Sequence, residues 1–274
     1  MPELTFKGLT LFYGEQGEGV PFIFQHGLGA DHRQSLSALS ELKGYRLMAL
    51  DCPGHGASIW LDSAPMGFDA FADVVVGLLD HLGIQSAVLG GISMGSGISV
   101  NIALRHPKRV KALVLARPAW TDAKMPPNLR IVAQLGEWIE EHGVERAEEL
   151  LATEPVYADA VADNPGCAAS IAGVLTRPQA VEGAAILYRM VDSQPFERMC
   201  DLASVRQPAL VISSDYDPLH PVDMARTWVA ALPNVTHEHI APRYLEAKRH
   251  HAELNQVVQT FLSAALTAPG NRKE

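Results

Sequence analysis

The stretch Gly91-Ile92-Ser93-Met94-Gly95 has residue types and spacing that point to chemistry. A serine hydroxyl becomes a useful nucleophile when the chain presents it on a sharp corner beside a base. Residues 87–90 (Ala-Val-Leu-Gly) read as a short buried strand. The run from Met94 to His106, stopped by Pro107, reads as a helix. Ser93 therefore falls on a strand-to-helix turn. Side chains at 91 and 95 would crowd that turn. Gly90, Ser96 and Gly97 let the helix pack close to its strand. Backbone N–H groups at the helix start face any negative charge that forms near Ser93. The competing reading is a glycine-rich turn in which Ser93 is an ordinary helix cap.

A serine nucleophile needs a base, a group that orients the base, and donors for the oxyanion. Eleven histidines are too many for residue type alone to choose among. Two carboxylates, Asp215 and Asp217, follow an apolar run at 209–213. Asp217 is the better acid because it stands just before Pro218, where the chain turns into the next helix. It would also be a normal helix cap there. His250 and His251 follow the last strand-like run. His237 and His239 alternate within that run and share a face; no third metal ligand is suggested, so a solvated face is the plainer reading. His26 and His55 suit loop bracing better than proton transfer.

These residues need a scaffold. Residues 4–6, 9–13, 21–25, 45–50, 87–89, 110–116, 209–213 and 235–240 read as strands. Helices are expected from Asp31 to about Leu42, from Phe68 to Leu82 ended by Gly83, from Met94 to His106, and from Leu254 to Ala265. Central strands that are apolar on both faces and alternate with helices indicate a parallel sheet covered on both sides. Ligands bind beyond the carboxyl ends of such strands. His26-Gly27, Asp51-Cys52-Pro53 and Ser93 all fall just after strands, and so at one rim. Between Asn128 and Leu202 only helical runs appear, at 129–142, 144–152, 168–175 and 178–191, punctuated by prolines. This predicts an all-helical insertion. The residues from Ala268 read as frayed.

Composition narrows the class. The chain has 274 residues, 47% hydrophobic and 19% charged, with a formal net charge of -9. That excludes disorder and argues against a nucleic-acid partner or a basic membrane surface. No apolar run is long enough to span a bilayer, and the first residues lack the pattern of a secretory signal. Three cysteines without metal-ligand spacing fit free thiols in a reducing compartment. The expectation is a cytoplasmic monomer or homodimer.

The ordered set His26-Gly27-Leu28-Gly29, Asp51-Cys52-Pro53-Gly54-His55-Gly56, Gly91-Ile92-Ser93-Met94-Gly95 and Ser214-Asp215-Tyr216-Asp217-Pro218 resembles the serine-nucleophile α/β-hydrolase fold family. The resemblance covers about residues 1–118 and 203–265. It implies an eight-stranded, mostly parallel sheet flanked by helices, with a helical cap inserted after the sixth strand. The core would be 1–118 and 203–274, and the cap 119–202. It also implies the chain order serine, acid, histidine, hence Ser93, Asp217 and His250, with His251 the alternative base, and no cofactor. The oxyanion donors would be the N–H groups of Met94 and Leu28. The chain departs from the family at Cys52-Pro53, where Arg is common, and at Ser214, where Gly is common. It also has no Gly-His pair after Ser93. A serine at 93 sets it apart from relatives with an aspartate nucleophile.

The resemblance implies hydrolysis of a small carboxylic ester or related acyl substrate. Arg117, Trp120, Trp138 and Tyr188 are the expected substrate-binding residues, with Arg117 placed either to grip an acidic group of the substrate or to form a salt bridge to the cap. C–C bond hydrolysis, lactone hydrolysis and perhydrolysis would use the same triad. A ligand-sensing signalling protein of the same fold is the alternative of another class.

Overall fold

The computed structural model describes residues 1–60 and 64–267. The expected fraying from Ala268 lies outside these residues. In chain order the first elements are β1 (Glu3–Phe6), β2 (Leu9–Gln16), β3 (Val20–Gln25), α1 (His32–Ala38), β4 (Tyr45–Leu50), α2 (Phe68–His81), β5 (Ala87–Ile92), α3 (Met94–Arg105) and β6 (Val110–Ala116). After β6 come α4 (Arg130–Leu151), α5 (Pro155–Asp163), α6 (Pro165–Ala172) and α7 (Ala184–Val191). The chain closes with β7 (Ala209–Ser213), α8 (Val222–Ala231), β8 (Val235–His239) and α9 (Ala247–Thr267).

The eight strands form one sheet in the order β1-β2-β4-β3-β5-β6-β7-β8. The β1–β2 and β2–β4 pairs are antiparallel, and every pairing from β4 to β8 is parallel. β5 lies at the centre and is buried along its whole length. Alternation sends its side chains to opposite faces. Leu89 packs in the core under α2 and α3, while Val88 and Ile92 join Leu254, Val258 and Leu262 of α9 on the other face.

The segment between β6 and β7 is helical, as its proline-punctuated pattern implies. α4 carries a break at Gly143 (φ 80°), where the sequence pattern also divides. Pro155 and Pro165 open α5 and α6 at first-turn positions, where a missing N–H costs nothing. The apolar residues of this insertion, among them Leu129, Leu135 and Leu187, are continuous with the core beneath α2 and α3.

Several boundaries differ from the sequence reading, and three of them are in helices near the site or the insertion. α1 stops at Ala38 rather than near Leu42, because Leu39 already has non-helical backbone (φ −115°, ψ 33°). α7 starts at Ala184, six residues later than the apolar pattern suggests. α9 begins at Ala247, so His250 and His251 sit inside a helix rather than in the loop before it.

Candidate active site

Ser93 stands where β5 ends and α3 begins, with φ 57° and ψ −110°. A non-glycine residue rarely holds a positive φ, and the surrounding contacts enforce it here. The Ser93 N–H donates to the Ala116 carbonyl at 2.9 Å. The Ser96 hydroxyl lies 2.8 Å from the Gly91 carbonyl and 3.0 Å from that of Ala116. A Cβ on Gly91 would come within 2.5 Å of the Gln25 carbonyl oxygen, and one on Gly95 would press on the same atom. Both glycines are therefore required by close backbone approach. Met94 is the first residue of α3, so its N–H has no partner within the helix. Among the described residues neither it nor the Leu28 N–H donates to a backbone carbonyl elsewhere.

The loop after β3 is held by side chains. Gln34 accepts from the Gly27 N–H at 2.8 Å. The fully buried His26 spans the loop, with Nε2 accepting from the Cys52 N–H at 3.1 Å and Nδ1 facing the Gly27 carbonyl at 2.8 Å. Both ring nitrogens are thus occupied, which leaves none for proton transfer. His55 packs on His26 with ring centroids 4.9 Å apart. On the outer strand pair, His237 and His239 both approach the Ser213 hydroxyl at 2.9 Å.

Asp217 follows β7 and is buried. Its Oδ2 accepts from Arg117 Nη1 at 2.8 Å and from His220 Nδ1 at 2.9 Å. Arg117 reaches it because residue 117 takes φ 49° immediately after β6, with its N–H on the Ile212 carbonyl at 2.7 Å. Burial alone would raise the Asp217 carboxyl. The charges and hydrogen bonds of His220 and Arg117 outweigh it and hold the group below the usual carboxylate range. Burial likewise dominates at His220 and pushes it below the ordinary histidine value, against the pull of Asp217. With the imidazole neutral, its Nδ1–H donates to Asp217 and its Nε2 is left as an acceptor.

A cavity of about 70 Å³ joins Arg117 and His220 to Ser93. Its walls include Leu28, Ser93, Arg117, Trp120, His220 and Arg243, and the insertion contributes Leu129, Val132, Ile171 and Val174. A larger chamber of about 420 Å³ adjoins it and shares Gln34, Ile92, Arg117, Arg243 and Tyr244.

The sequence-based site is met unevenly. Ser93, Leu28, Arg117 and Trp120 line one cavity. His250 does not line it; it faces the larger chamber. His250 Nδ1–H donates to the Ala241 carbonyl at 2.7 Å, and Asp217 is bonded to His220 instead. Burial is the main cause that lowers His250, to about 4. His251 Nε2 approaches the Ser40 hydroxyl at 3.2 Å. Arg117 is not a free cation, since Asp217 occupies it. Trp138 and Tyr188 stand away from the cavity. They lie on α4 and α7, which pack against each other, and the Tyr188 hydroxyl donates to Glu140 at 2.9 Å. Sequence reasoning missed His220 and Arg243. The signal for His220 was its position three residues after Asp217 in a turn, closed by His220 N–H on the Asp217 carbonyl at 3.0 Å.

The alpha/beta hydrolase fold model matches residues 20–244. The chain belongs to the α/β-hydrolase fold family. It is 36% identical over 119 residues to 2-hydroxymuconate semialdehyde hydrolase of Pseudomonas sp. (strain CF600), a match covering 41% of each chain. The matched segment thus spans well under half of that relative. A thermophilic esterase from Thermogutta terrifontis superposes with TM-score 0.75 at 22% identity, over 97% of this chain and all of that one. The enol-lactonase from Burkholderia xenovorans LB400 gives 0.76 at 22%, over 96% and 100%. At such identities the structural likeness concerns the fold. The eight-stranded, mostly parallel sheet is that of the family, and no helix among the described residues is long and apolar enough to cross a membrane.

Proposed function

We propose that the protein is a serine hydrolase of a small carboxylic ester or related acyl substrate, with Ser93 as nucleophile and His220, not His250, as its base. The observation that carries this reading is the Asp217–His220 hydrogen bond beside a cavity that Ser93 also lines. No hydrogen bond joins Ser93 to His220 in the structure, and catalytic contacts often tighten only around substrate.

In this mechanism His220 Nε2 takes the Ser93 proton as the hydroxyl oxygen attacks the carbonyl carbon. The Leu28 and Met94 N–H groups receive the oxyanion. His220 then gives the proton to the departing alkoxide, leaving an acyl-Ser93. Water adds with His220 again as base, and the acid leaves with Ser93 restored. Asp217 fixes the Nδ1–H tautomer and stabilises the imidazolium, while Arg117 holds Asp217 ionised and in place. Each step uses only these side chains, the two backbone amides and water.

Lactone or C–C bond hydrolysis would engage the same groups, and a ligand sensor would keep them without turnover. p-Nitrophenyl esters from acetate to octanoate, with wild type against Ser93→Ala, are the first test. Turnover of a short ester that vanishes in Ser93→Ala supports the reading. Turnover unchanged in Ser93→Ala, or a single bound ligand without turnover, rejects it.

A further inference from the structure

The cavity at Ser93 and the chamber behind it are lined by charges of one sign. Arg117 and Arg243 border both spaces, and neither lining contains an aspartate or glutamate. This occurs in a chain with 31 acidic and 22 basic residues. Arg117 is neutralised by Asp217 at 2.8 Å. Arg243 is different. It lies in the loop between β8 and α9, is partly buried, and among the described residues has no hydrogen bond or ion pair. Its guanidinium lies over the Tyr244 ring, 5.2 Å from the centroid. Burial lowers it from the ordinary arginine value, and the neighbouring charge of Arg117 adds to that effect.

A partly buried guanidinium with no protein partner has donors to offer, and its five donors in a planar fork match a carboxylate. With His220 neutral, Arg117, Asp217 and Arg243 together carry one net positive charge. An anion beside Ser93 would balance it. The adjoining wall of the chamber is apolar, formed by Ile92, Ile212, Ile240 and Leu254.

We propose that Arg243 is a specificity-determining residue that holds a free carboxylate on the acyl part of the substrate. The substrates would then be half-esters of short dicarboxylic acids, with the carboxylate on Arg243, the methylenes against the apolar wall and the ester carbonyl at Ser93. The ester part of this assignment rests on the serine-hydrolase reading. The carboxylate site does not.

Two measurements separate them. The first is kcat/KM for mono-p-nitrophenyl glutarate relative to neutral p-nitrophenyl pentanoate, in wild type, Arg243→Gln and Arg243→Lys. Wild type should favour the half-ester. That ratio should fall on the order of tenfold or more in Arg243→Gln and less in Arg243→Lys, in keeping with loss of a charge-assisted hydrogen bond. The second is the melting temperature of Ser93→Ala with glutarate and with neutral glutaramide. Glutarate alone should raise it, and the rise should vanish in Ser93→Ala/Arg243→Gln. A ratio equal in wild type and Arg243→Gln, or both esters slowed alike, overturns the assignment; the latter would make Arg243 an oxyanion group. If Arg243→Gln does not fold, inhibition of wild-type pentanoate hydrolysis decides, and equal inhibition by glutarate and glutaramide overturns it. Glutarate binding through Arg243 with no ester turned over would leave the carboxylate site standing and reject the hydrolase reading.

Discussion

Asp217 Oδ2 is shared by His220 Nδ1 at 2.9 Å and Arg117 Nη1 at 2.8 Å. One carboxylate oxygen thus orients an imidazole and accepts a buried cation, while Asp217 Oδ1 is buried without a partner among the described residues. The two ligands come from separate parts of the chain, His220 from the same turn and Arg117 from the end of the neighbouring strand β6. Their convergence turns an ordinary acid after β7 into the centre of a charge cluster beside Ser93.

The two histidines make opposite predictions. His220→Gln should lower kcat on the best p-nitrophenyl ester by on the order of 10²–10⁴-fold, the usual range for loss of a general base. His250→Gln should keep kcat within a few-fold, because its Nδ1 serves the Ala241 carbonyl and its ring faces the other chamber. Steady-state kinetics of both variants, alongside melting curves, decides the assignment. The reverse pattern would restore His250 as the base.

Arg117 should matter for stability as well as rate. The Arg117 and Asp217 side chains are 4% and 1% exposed. Removing one member of a buried pair leaves the other uncompensated, at about 3–5 kcal/mol. Arg117→Met should therefore lower urea-unfolding stability by that order, and Arg117→Met/Asp217→Asn should recover part of it. Additive losses in the double variant would show that the pair does not act as one unit.

The fold and the strand-to-helix corner at Ser93 were legible in the sequence for local reasons. Apolar strands with glycine corners constrain Ser93 within five residues, and the steric demand of Gly91 and Gly95 can be read from the chain itself. The partner of Asp217 was not legible in the same way. Chain order in the family points past β8 for the base, whereas the bond that forms is local, within Asp217-Pro218-Leu219-His220. Arg243 was hidden for the opposite reason. Its lack of a partner is a property of the assembled site, since a loop arginine beside Glu246 and Arg249 looks solvated; in the structure Arg249 takes Glu246 at 3.1 Å. Trp138 and Tyr188 show the converse error. Aromatic side chains in the insertion suggested pocket walls, but α4 and α7 spend them on packing and on the Glu140 contact.

Acid should affect rate and stability in one direction. Burial holds His220 and His250 below the ordinary histidine value, His250 at about 4. The unfolded chain takes up these protons near pH 6.5, whereas the folded chain does so only at lower pH. Stability is then full above about pH 6.5 and falls as pH drops toward 4. The acid limb of the kcat profile should correspondingly have its midpoint below 6.5, since His220 stays neutral to lower pH. Urea midpoints and kcat between pH 4 and 8 test both. A rate limb centred at or above 6.5 would count against a depressed His220.

The elbow makes a steric prediction with an internal control. A Cβ on Gly91 would meet the Gln25 carbonyl oxygen at 2.5 Å and the Gly95 Cα at 2.6 Å, all backbone atoms that cannot swing away. A Cβ on Gly173 would meet nothing within 4 Å, and that residue already has helical backbone (φ −57°). Gly91→Ala should therefore destabilise by about 1–3 kcal/mol as an overpacked site does. It should also cut activity, because any shift of β5 moves Ser93 relative to the Leu28 amide. Gly173→Ala should be neutral or stabilising by up to about 1 kcal/mol, through the reduced freedom of the unfolded chain. Paired thermal melts and ester kinetics separate the two effects. Equal behaviour of the two variants would mean that the close approach of β3 to the elbow does not constrain Ser93.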